Sequence, residues 1–134
     1  MRARQRNNSV TNNPQSLLFV LRSANMQSTA DQAFSKLFSG TRYVITKVTA
    51  LRKTGGTSVA CAGGIYTEAA KAGSMLVDVT QSWVALTGAE KIVSATLPAL
   101  IGTDAQTATP YLSLTTGSTA AATADLFIHG VCVD

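Results

Sequence analysis

The chain has 134 residues, enough for one domain with a real hydrophobic core and no need of disulfide or metal staples. Charged residues make up only 13%, against about 25% in ordinary soluble domains, while 20 Ala and 18 Thr account for 38 positions. One His (His129), one Trp (Trp83) and two Cys 71 positions apart (Cys61, Cys132) exclude a multi-histidine metal site and a zinc ribbon; no apolar run reaches the 18 residues of a membrane-spanning helix.

The net charge of +4 is unevenly placed. Arg2, Arg4 and Arg6 lie in an N-terminal stretch without acids; outside it eight basic residues face seven acidic ones. Residues 1–14 are rich in Asn and Arg, nearly devoid of apolar side chains, and end at Pro14. They read as a flexible arm that orders only against a partner. A basic arm on a neutral body can grip phosphate or an acidic protein surface; with no aromatic residues interleaved for base stacking, a specific nucleic-acid role is not expected. The polar run from Asn7 to Asn13 replaces the apolar core of a secretion signal. The expected compartment of synthesis is therefore a cytoplasm, where Cys61 and Cys132 stay as two buried thiols.

Residues 15–134 read as a single domain. Ser16–Arg22 is an apolar run of strand length. In Met26–Phe38, Ser28 stands three residues before Asp31, and Ala30, Ala33, Phe34 and Leu37 have helical spacing. A short helix capped by Ser28 and a structured loop are both compatible with that stretch. Tyr43–Arg52 is a β-branched strand, bounded by Gly40 and by Gly55 and Gly56. Ser58–Thr67 is the next strand; its Gly63 and Gly64 predict a bulge or a close backbone approach. Glu68–Gly73 is a turn. Met75–Thr80 alternates, with Met75, Val77 and Val79 on one face. Gln81–Glu90 is a second helix candidate. Lys91–Leu97 alternates up to Pro98, and Tyr111–Thr115 points Leu112 and Leu114 inward. Thr123–Val133 closes the chain as a long strand, with Leu126, Ile128 and Cys132 on one face and Asp125, Phe127, His129 and Val131 on the other. Seven to eight strands with one apolar face each predict an all-β fold: an antiparallel, jelly-roll-like β-sandwich with an N-terminal arm.

No reaction chemistry emerges. His129 has no serine in a nucleophile elbow to serve. The acids Asp31, Glu68, Asp78, Glu90, Asp104 and Asp125 are scattered singly, so neither a calcium loop nor a glycosidase pair stands out. The glycine pairs lack the Lys-Ser/Thr and helix of a phosphate loop. No catalytic, metal or cofactor residues are assigned, and the chain is not expected to be an enzyme. Predicted outer faces carry Thr, Ser and Ala rather than Lys or Glu. Such a surface is cheap to desolvate and suits a subunit covered by neighbours, although Thr is also simply a good strand former. Trp83, Tyr111 and His129 are the candidate interface residues.

Five segments, Leu21–Phe34 (LRSANMQSTADQAF), Ala62–Lys71 (AGGIYTEAAK), Gln81–Gly88 (QSWVALTG), Tyr111–Thr116 (YLSLTT) and Ala121–Gly130 (AATADLFIHG), together resemble a family of small bacteriophage virion proteins, often head-associated. The resemblance implies a non-enzymatic component of the particle, and the arm falls outside it. The expectation is a capsid decoration (cement) protein on the outside of the virion, made in the host bacterial cytoplasm. Its partners would be the major capsid protein, reached through Arg2, Arg4 and Arg6, and its own copies, with a trimer the natural guess. The alternative is a receptor- or glycan-binding module or a neck, tail or fibre component.

Overall fold

The computed structural model describes residues 16–55, 61–86, 92–94 and 105–133. Among these, nine strands and no helix are found: β1 (Ser16–Asn25), β2 (Gln32–Ala33), β3 (Ser35–Lys36), β4 (Tyr43–Gly55), β5 (Ala62–Glu68), β6 (Ala72–Val77), β7 (Ile92–Ser94), β8 (Tyr111–Thr116) and β9 (Ala122–Cys132). All pairings are antiparallel. One sheet has the order β3-β1-β9-β4-β7 and the other β2-β8-β5-β6. With the two-residue β3 set aside, the eight remaining strands, counted along the chain, run first–eighth–third–sixth in one sheet and second–seventh–fourth–fifth in the other. This interleaving is the two-sheet arrangement of a jelly roll.

The core lies between the sheets. Leu18, Phe19, Val48, Ala50, Leu126 and Ile128 enter it from the first sheet, and Ile65, Leu76, Leu112 and Leu114 from the second, all essentially sealed from solvent. The expected alternation holds in β8 and β9: Leu112 and Leu114 are buried, as are the even-numbered positions 122–130. Cys132 is half-exposed rather than buried, and Cys61 and Cys132 do not form a disulfide. In β1 the ladder slips between Leu17 and Phe19, so that Leu18 and Phe19 both turn inward. In β6 two pairing shifts against β5 break the predicted alternation, and the neighbours Leu76 and Val77 are both buried.

Gly63 and Gly64 make the close approach that their sequence suggests. The β5–β8 ladder shifts between Ala62 and Gly63. A Cβ on Gly63 would stand 2.4 Å from the Leu114 Cα, and one on Gly64 would stand 2.3 Å from the Val77 carbonyl oxygen.

Both helix candidates are corrected. In Met26–Phe38 the Ser28 hydroxyl accepts the Ala30 N–H, closing a turn, and Gln32 reaches back with its amide to both the N–H and the carbonyl of Asn25. The chain then crosses from one sheet to the other, β2 pairing with β8 and β3 with β1. Of the residues with helical spacing only Phe34 is buried, while Leu37 is 51% exposed. In Gln81–Glu90 the described part, 81–86, is a pair of turns, closed by Gln81 N–H to Asp78 and Leu86 N–H to Trp83. Residues 87–90 lie outside the described residues.

Candidate functional site

Trp83 does not lie at a surface. Its side chain is 0% exposed. The indole Nε1–H donates to the Gly63 carbonyl at 3.1 Å, and its backbone N–H donates to the Cys61 carbonyl at 2.9 Å. The segment carrying it straps β5, held at both its indole and its backbone N–H by β5 and the residue before it. The candidate interface role of Trp83 is therefore corrected to a core role: a large aromatic side chain buried with its one polar edge satisfied. Beside it, burial pushes the Cys61 thiol up to about 11, so this sulfur is not a nucleophile at neutral pH.

His129 lies where its sequence neighbours suggest, on the outer face of the first sheet with Asp125, Phe127 and Val131, all half-buried. β9 is central in that sheet, so this face is built from three strands. Leu17 and Val20 of β1 stand opposite His129 and Phe127; on the other side Lys47, Thr49 and Leu51 of β4 stand opposite His129, Phe127 and Asp125. The result is an apolar patch around Phe127, edged by Thr and a few charges. Two polar atoms on it, Thr49 Oγ1 and His129 Nδ1, are shielded from water without a hydrogen-bond partner. At the rim, Asp125 does two jobs. One oxygen accepts the Ser23 N–H at 2.8 Å, and the other lies 3.6 Å from Arg22. Ser23 occupies the left-handed region (φ 53°) at the second β1 bulge, so the carboxylate satisfies an N–H that the bulge turns away from the ladder. The Arg22 guanidinium also sits 5.9 Å from the centre of the Phe127 ring.

Tyr111 opens β8 and is half-buried, opposite Tyr66 of β5 and Ala33 of β2. It belongs to the outer face of the second sheet, so Tyr111 and His129 lie on different sheets and form no common site. Around the two tyrosines the fold gathers acids that look isolated in the sequence. Asp31 accepts the Ala70 N–H at 2.6 Å; that bond, then the Ser113 hydroxyl, hold its carboxyl below the usual range. Asp78 is held low by the Thr80 hydroxyl and N–H. Its charge adds to burial in raising the Tyr66 hydroxyl. Glu68 ends β5 and is exposed. Only the fold reveals this grouping, because it depends on β2 pairing with β8 across the second sheet; by contrast, the period-two pattern of β9 suffices to put Phe127 beside His129.

Arg2, Arg4 and Arg6, assigned to the arm, lie outside the described residues. No His, Cys, Asp or Glu side chains gather in threes at metal-binding distance among the described residues. In comparisons with known proteins, no family model, no curated protein and no solved structure matches the chain.

Proposed function

We propose that the chain is a structural protein of a bacteriophage virion: a decoration protein that binds the outer shell, bridges neighbouring capsomers and carries out no catalysis. The observation that supports this best is the jelly-roll topology with an outer sheet face of Phe, Val, Leu and Thr and only a few rim charges. Jelly rolls are a recurrent architecture of viral capsid domains, though also of lectins and cupins. A weakly ionic sheet face can be covered by a neighbour without stripping water from many ions. Many copies, each making a modest contact, would add up to a firm clamp on the shell. The glycan-binding alternative cannot use Trp83, the chain's one indole, as a stacking surface, because it is fully buried.

The test is cosedimentation of the full-length protein with empty heads of the phage that encodes it. Saturable binding at copy numbers in the hundreds is expected, and removal of residues 1–14 should weaken it strongly. Binding of only a handful of copies would point to a neck or fibre position. No binding to heads would end the decoration reading.

A further inference from the structure

Among the residues whose side chains the structure describes, charge is sorted between the two outer faces. The first sheet and its flank carry Arg22, Arg42 and Lys47 against the single acid Asp125, a balance of +2, while Lys36 registers with the inward Phe19. The second carries Asp31, Glu68 and Asp78 against Lys71, a balance of −2. The two outer faces point away from each other on opposite sides of the sandwich, about 10 Å of core apart, so one molecule cannot bring its own faces together. A second copy can. We propose that the chain associates with itself head to tail, the basic outer face of the β1–β9–β4 sheet in one copy packing on the acidic outer face of the β8–β5 sheet in the next.

Charge decides between the arrangements. Packing two first-sheet faces would set Arg22 and Lys47 of one copy against the same cations of the other; packing two second-sheet faces would do the same with Asp31 and Asp78. Like charges in register oppose such contacts, whereas the mixed contact is attractive and steers its own encounter. The apolar patch around Phe127 would be desolvated at its centre, with the charges at the rim. Because the two faces point in opposite directions, a contact between unlike faces stacks copies in a row and runs on as a filament rather than closing into a small ring.

The contact forms without a viral shell, so its test is independent of the decoration reading. The full chain is examined by sedimentation velocity at low and high salt. Self-association should weaken as salt screens the two faces. Lys47→Glu and Glu68→Lys, both at exposed positions, should each weaken association about tenfold or more. The double variant K47E/E68K takes two charge units from each face and should associate no better than the weaker single variant. Circular dichroism on each variant separates misfolding from lost contact. Three results would overturn the proposal: a wild-type chain that stays monomeric at low salt up to its solubility limit, a loss with Lys47→Glu but none with Glu68→Lys, or a double variant that associates as tightly as the wild type.

Discussion

The turn between β5 and β6 holds strain that a two-residue change should release. Ala70 and Lys71 both lie in the left-handed region, at φ 60° and 59°, and the Ala72 N–H returns to the Ala69 carbonyl at 3.3 Å. Two successive positive φ values in a two-residue hairpin loop are the signature of a type I′ turn, whose preferred residues are Asn-Gly. For a residue with a Cβ the left-handed region costs about 1–2 kcal/mol. Lys71→Gly removes that cost but gives the unfolded chain about 0.5–1 kcal/mol of extra freedom, for a net gain of about 0.5–1 kcal/mol. Ala70→Asn adds roughly 0.5 kcal/mol, since Asn tolerates the region, and it keeps the N–H that Asp31 holds. The double variant A70N/K71G should thus gain about 1–1.5 kcal/mol. With a urea slope of about 1.5 kcal/mol/M for a chain of this size, the unfolding midpoint rises by roughly 0.7–1 M at constant slope. Lys71→Ala controls for lost charge: it keeps the strained backbone and should leave the midpoint nearly unchanged. A double variant that unfolds at the same or a lower urea concentration, with Lys71→Ala also neutral, would refute the strain argument.

Two further outcomes are expected. Trp83→Phe should cost about 2–3 kcal/mol, by shrinking a core side chain and leaving the Gly63 carbonyl without its indole donor, yet leave shell binding and self-association intact; chemical denaturation and sedimentation check the two halves, and a stable variant that no longer associates would return Trp83 to the interface. Stability should fall at both ends of the pH scale. The lowered carboxyls of Asp31 and Asp78 contribute above the ordinary carboxylate range, and their contribution is lost as pH falls through their folded values. Tyr43, pushed up to about 12 by burial, contributes fully below the ordinary tyrosine value of about 10 and loses that contribution as pH rises toward 12. Alkaline titration by phenolate absorbance should show one of the three tyrosines ionising only as the chain unfolds; ordinary, non-cooperative ionisation of all three would contradict the assignment.

Strands with one buried face were legible because period two is a local signal: Leu112, Leu114, Leu126 and Ile128 point where alternation puts them. Gly63 and Gly64 were legible because few roles demand two missing side chains in a strand. The two-sheet sandwich, too, follows from one-sided strands that must cover each other, although no local pattern dictates the jelly-roll order of strands within the sheets. Met26–Phe38 stayed open between a short helix and a structured loop because a helical spacing of small and apolar residues costs nothing to maintain when the segment bridges two sheets. What holds it is the Gln32 amide bridging back to Asn25 and, from far along the chain, the Pro110 carbonyl that accepts the Phe34 N–H. The core place of Trp83 was not legible either, since the carbonyl that accepts its indole N–H lies 20 positions earlier in the chain. The sorting of charge between sheets was invisible because it belongs to the topology: Asp31 and Asp78 are 47 positions apart in the chain and share a face only once β2, β8, β5 and β6 have assembled.

The strand at the heart of the first sheet, β9, is the last of the described strands to leave the ribosome, and both of its neighbours, β1 and β4, are made long before it. During synthesis those two strands expose the edges and the apolar rows that β9 will cover. Sheet closure must therefore await residues 122–132, and acquisition of the native state is a late event dominated by pairings between remote parts of the chain, the kind that form slowly. A polypeptide stopped short of β9 would be left with two orphaned sticky strands rather than a smaller working domain, which makes the nascent chain, more than the finished one, the natural client of cellular chaperones.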